Sequence, residues 1–116
     1  MKLNYGIVVL VMVGALGLSG CASNEPRSYV GETLAQVEKS ENPGIVYDLS
    51  GPVLGAAPRY NGGADPSAWT VIAACAGTLH DDHLIVAVLP STSVDRKILS
   101  SAKKGSYQKS LTGCQV

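Results

Sequence analysis

His80 and His83 bracket two aspartates in a chain of 116 residues that carries no other histidine. These are donor types that hold divalent ions. In a short turn between strands, side chains three residues apart point in different directions, and no further ligand stands out elsewhere. The segment reads as a solvated turn, and no metal is assigned to it. Nucleophilic catalysis needs a serine oriented beside an imidazole, but the chain has no Gly-x-Ser-x-Gly elbow. Glycoside cleavage needs two carboxylates in contrasting environments. Glu32, Glu38, Glu41, Asp65, Asp81, Asp82 and Asp95 fall at polar positions. Asp48 alone lies inside an apolar strand pattern, with Arg59 a candidate partner. No glycine-rich phosphate loop joins a strand to a helix. No catalytic residue and no cofactor is assigned, and the expectation is a protein that is not an enzyme.

The three cysteines are the other reactive groups. Lys2 precedes an apolar stretch, residues 7–18, interrupted only by glycines and followed by small residues. That three-part pattern is a secretory signal. From Gly6 to Gly20 the stretch is 15 residues, short of the about 20 that a transmembrane helix needs. Leu18-Ser19-Gly20-Cys21 resembles a bacterial lipobox, which is cleaved before a cysteine carrying a diacylglycerol thioether. The resemblance implies lipidation (palmitate or a similar acyl chain) at Cys21. Two chains at about 0.8 kcal/mol per buried methylene anchor stably where one is marginal. Ala22 stands where an inner-membrane retention aspartate would stand, which implies the outer membrane if the cell has two.

With Cys21 assigned to lipid, Cys75 and Cys114 remain. An even pair outside the cytoplasm is expected to be a disulfide. Closing a loop of this length stabilises by about 4 kcal/mol in the loop-entropy model. The pair lacks the CxxC spacing of a zinc site.

The elements that position these groups follow from periodicity. Residues 22–28 are polar and read as a tether. Val30, Leu34 and Val37 fall on one helical face, and Asn42-Pro43-Gly44 ends the run, predicting a helix over 31–41. Residues 45–49 alternate as a strand. Residues 69–76 (WTVIAACA) are apolar on both faces, the pattern of a central strand, and residues 84–89 form a third strand joined to it by a hairpin. Val94, Ile98 and Ala102 mark a second helix over 93–104, with Ser91, Thr92 and Ser93 as candidate N-caps and Gly105 as the stop. Tyr107 and Leu111 pack as a final turn. The 51–68 stretch is rich in glycine and proline, and a long unpatterned loop of this kind is either functional or mobile. The expected fold class is α+β: a small three-stranded, mainly antiparallel sheet packed by two helices, preceded by a signal peptide. The divisions are 1–20 signal peptide, 21–28 tether and 29–116 domain.

Val30-Gly31-Glu32-Thr33-Leu34, Tyr47-Asp48-Leu49-Ser50 and Trp69-Thr70-Val71 together resemble the PASTA domain over residues 29–78. In place of that family's polar-Pro-x-x-Gly ending stands Ala74-Cys75-Ala76-Gly77-Thr78. The resemblance implies an extracytoplasmic, non-catalytic module, and in some members binding of peptidoglycan fragments. The whole chain is also similar to small exported lipoproteins of actinobacteria.

Nine Lys and Arg balance nine Asp and Glu, for a formal charge of zero. Nucleic-acid binding by counterion release needs a basic face, so no nucleic-acid partner is expected. A polybasic contact with a membrane surface is excluded on the same ground. The expected function is a membrane-anchored, extracytoplasmic lipoprotein that binds a protein or envelope component. Tyr60 and Trp69 are the candidate binding residues, and peptidoglycan fragments are the alternative ligand.

Overall fold

Thr33 starts the first helix in the computed structural model of the protein, which describes residues 25–78 and 84–115. Its hydroxyl accepts the Gln36 N–H at 3.2 Å, and the Gln36 side chain accepts the Thr33 N–H at 2.8 Å. This reciprocal pair satisfies two of the free donors at the helix start. The helix, α1, covers Leu34–Ser40 and buries Leu34 and Val37 completely. It begins later than periodicity predicts because residues 31–33 turn at Gly31, which has a positive φ, and bond to β2 (Trp69–Ala76) instead. Gly31 donates to the Val71 carbonyl, and Val71 donates to the Glu32 carbonyl, both at 2.8 Å.

The strands are β1 (Pro43–Asp48), β2 (Trp69–Ala76) and β3 (Leu84–Pro90), in the spatial order β1-β3-β2. β2 and β3 pair antiparallel, as the hairpin predicts. β1, however, pairs parallel with β3, in the register Val46 opposite Val86. The sheet is therefore mixed rather than mainly antiparallel. A parallel pair needs a long crossover, and the loop, β2 and the hairpin together provide it. β3 is also the central strand, where the sequence pattern pointed to β2. Its aliphatic side chains serve both layers of the core. Leu84, Val86 and Val88 fill the layer under α1, while Ile85, Ala87 and Leu89 fill the opposite layer.

That second layer is closed by α2 (Arg96–Lys103) and by the chain that follows it. Asp95 caps α2 by accepting the Ile98 N–H at 2.8 Å. The three candidate caps instead form a short 3-10 turn, Ser91–Ser93. Ser91 Oγ lies 2.8 Å from the buried Thr70 hydroxyl. At the other end of α2, Arg27 donates to the Lys103 carbonyl at 3.3 Å, placing a cation where the helix dipole favours one. Arg27 belongs to a 3-10 turn, Pro26–Tyr29.

A bulge between Val71 and Ala73 turns both Ile72 and Ala73 toward the α2 layer. β2 is apolar throughout although it lies at an edge, because its outer side is not bare. Residues 31–33 cover its start. The Gln108 carboxamide covers its middle, accepting from Ala74 N–H at 2.9 Å and donating to Ala74 C=O at 2.8 Å. Residues 113–115 cover its end, where Gln115 N–H donates to Ala76 C=O and Thr78 N–H to Gly113 C=O. At the far edge, β1 starts at Pro43 and is irregular before Ile45, features that discourage further strand pairing.

Candidate functional site

The 51–68 segment is held by side chains on the polar positions of its own sequence. Asp48, the last residue of β1, accepts four hydrogen bonds. Ser50 N–H and Ser50 Oγ donate to one carboxylate oxygen at 2.8 and 2.6 Å; Arg59 N–H and Tyr60 N–H donate to the other at 2.6 and 2.9 Å. Burial pushes the Asp48 carboxyl upward, but the bonds from Ser50, Tyr60 and Arg59 outweigh it and hold the group below the usual carboxylate range. The Arg59 partnership foreseen from the sequence thus exists, through the main chain rather than the guanidinium. All four donors favour the ionised form, so Asp48 is an anchor for the loop and not a raised-pKa acid.

Between these anchors the chain makes a π turn, Ser50–Leu54, closed by Gly55 in the left-handed region. Ser50 is almost fully buried, with its hydroxyl satisfied by Asp48. Further along, Asn61 accepts the Gly63 N–H at 2.8 Å, and Asp65 accepts Ser67 N–H at 3.0 Å and caps the 3-10 turn Pro66–Ala68. The Ser67 hydroxyl and N–H lower the pKa of the exposed Asp65. Each of these is a side-chain-to-backbone bond of the Asx type.

Tyr60 and Trp69 meet. Their rings are edge-to-face, with centroids 5.2 Å apart and planes at 86°, a favoured aromatic geometry. Trp69 is buried at 7 % exposure and belongs to the core under α1; Tyr60 is half-buried and packs against that core. Burial raises the Tyr60 hydroxyl pKa, and Glu38 reinforces the shift. Around Tyr60 residues 55–59 and 61–63 are exposed. The result is a surface loop pinned by Asp48, Asn61 and Asp65, with the edge of Tyr60 and the Arg59 side chain as its larger groups.

Cys75 and Cys114 are joined by a disulfide, with Cα atoms 5.6 Å apart. Tyr47 points to the α2 layer, and its hydroxyl lies 2.8 Å from Thr112 Oγ1. Cys21, the signal peptide, His80 and His83 lie outside the described residues. Among the described residues, no three His, Cys, Asp or Glu side chains converge as metal ligands do. Also among them, no helix is long and apolar enough to cross a membrane. Two structural residues escaped the sequence reading. Ser50 carried a weak signal, the Asp-x-Ser spacing of an Asx turn. Gln108 carried none, because its partner is 34 positions away.

No protein-family model matches this chain, and no curated protein or solved structure shows significant similarity to it.

Proposed function

We propose that this chain is a lipid-anchored, non-catalytic protein of the bacterial cell envelope. It is tethered through Cys21 and presents the 51–68 loop to a protein partner or envelope component. The observation that carries this reading is the allocation of three cysteines. Cys75 and Cys114 are committed to each other, and Cys21, the thiol outside that bond, ends the Leu18-Ser19-Gly20-Cys21 motif. A disulfide also suits an oxidising, extracytoplasmic compartment.

The loop suits recognition because its shape is fixed before binding. Asp48, Asn61 and Asp65 have already ordered it, so less entropy is lost on contact. The buried Trp69 indole offers no open face for stacking on a sugar ring, which favours a protein partner over a wall fragment.

Growth with a labelled fatty acid tests the anchor. Label is expected in the native protein and absent from Cys21→Ser, which should leave an uncleaved or released form. Equal size and equal detergent partitioning of the two would refute it. A photo-crosslinker at Arg59 in intact cells tests the surface. A discrete adduct is expected there and none from the same group at Lys97 on α2. Resonance shifts at Tyr60 on titration with muropeptides, without such an adduct, would assign the ligand to the wall instead.

A further inference from the structure

The segment after Leu111 crosses the sheet on its α2 side and touches all three strands. Thr112 bonds to Tyr47 of β1 at 2.8 Å. Gly113 lies over β3, where a Cβ would stand 3.4 Å from Ile85 Cδ1. Cys114 is bonded to Cys75 of β2. Beyond it, Gln115 N–H donates to the Ala76 carbonyl at 2.8 Å, its carboxamide donates to the Gly77 carbonyl at 3.0 Å, and Thr78 N–H donates to Gly113 C=O at 2.9 Å.

This segment contributes almost no apolar burial of its own. Thr112, Gly113 and Gln115 are exposed and both cysteines are partly so, whereas Leu111 just before them is buried. The β2 residues it covers, Cys75 and Ala76, are likewise only half-buried, in contrast to the fully buried Val71, Ile72, Ala73 and Ala74. One covalent bond and a few hydrogen bonds made by exposed or half-buried residues of the segment therefore hold residues 112–115, while the rest of β2 is held by the core.

We propose that residues 112–115 are a redox-releasable strap. A thiolate of a dithiol reductant attacks one sulfur of Cys75–Cys114; the S–S bond breaks, a mixed disulfide forms and the other cysteine leaves as a thiolate. The second thiol of the reductant then displaces the mixed disulfide. The protein gains two thiols with the protons the dithiol loses, and the reductant becomes a disulfide. The strap lifts away, baring Ile85, the outer edge of β2 at Ala76 and the two residues after the strand, Gly77 and Thr78. Gln108 stays on Ala74, since it precedes the Leu111 anchor. The device does not depend on the lipid anchor or on the loop surface.

Amide hydrogen exchange on the full chain, oxidised and then reduced with dithiothreitol, tests this. The Cys75→Ser/Cys114→Ser variant serves as a permanently open form. Thr78 and Gln115 amides should exchange at least about tenfold faster in both open forms, while Ala74 and Val71 change less than about twofold. Unchanged protection at Thr78 and Gln115 would show a strap held without its covalent bond and overturn the proposal. So would loss of protection throughout β3, which would make the disulfide a staple of the whole fold.

Discussion

The Gln108 carboxamide binds both main-chain groups of Ala74, accepting its N–H at 2.9 Å and donating to its C=O at 2.8 Å. One side chain thereby does what a residue of a neighbouring strand would do. It fills the gap between the two backbone segments that cover the rest of the β2 edge, and it does so at a residue with no solvent exposure.

Gln108→Ala removes both partners and strands a buried donor and acceptor. An unsatisfied buried polar group costs about 1–3 kcal/mol, so the variant should lose about 2–3 kcal/mol in urea unfolding. Gln108→Glu keeps the acceptor but sets a carboxylate against the Ala74 carbonyl, and should be at least as unstable. A loss below about 0.5 kcal/mol in both would mean that water replaces the amide.

Asp48 sets an acid limit on stability. Its folded pKa lies below the ordinary carboxylate value because Ser50, Tyr60 and Arg59 donors outweigh burial. A group depressed in the folded state contributes fully above its unfolded pKa, about 3.9, and loses that contribution as pH falls through the folded value. Asp48→Asn should therefore be less stable than the native protein at pH 7 and show a shallower decline below about pH 4. Parallel stability-pH curves for the two proteins would contradict this assignment.

Tyr60→Ala removes the edge-to-face partner of Trp69. Such pairs add about 0.5–1.5 kcal/mol beyond area burial, and the half-buried ring adds some of the latter, so a loss of about 1–2 kcal/mol is expected. Trp69 emission should move to the red as water reaches the indole. Emission unchanged from the native protein would show that the loop closes over Trp69 without Tyr60.

Gly113 has φ +86°, and a Cβ there would contact Ile85 Cδ1 at 3.4 Å. Gly113→Ala should destabilise the oxidised protein by about 1 kcal/mol or more, because an L side chain resists this backbone conformation. After reduction the penalty should shrink, as the strap no longer has to adopt that conformation. An equal penalty in both redox states would place Gly113 in the permanent fold.

Some of the fold could be read locally. WTVIAACA and LIVAVL are strands within a residue of the predicted limits, because β-favouring apolar runs bounded by turn residues carry their own signal. Leu34 and Val37 marked the buried face of α1, and Ala102 that of α2. Cysteine counting pointed to Cys75–Cys114. The start of α1 shifted because residues 31–33 bond to β2 and Thr33 caps the helix, and that of α2 because Asp95 won over Ser91, Thr92 and Ser93 through a bond three residues away.

Strand neighbours, by contrast, were settled only in three dimensions. Periodicity says which faces of a strand are apolar but not which strand lies beside it. β2 looked central because nothing in its eight residues records that residues 31–33, Gln108 and residues 113–115 will cover its edge. Asp48 likewise has a legible partner in Ser50, two residues on, but not in Arg59 and Tyr60, which reach it only after the loop has folded back. Local sequence determined the elements and their apolar faces, since each depends on residue type and short spacing, while the Cys75–Cys114 pair, 39 residues apart, was reached by counting cysteines. Tertiary structure decided the parallel β1–β3 pairing, the sealed edge of β2 and the anchored loop, since those depend on which distant groups can satisfy a buried donor or acceptor.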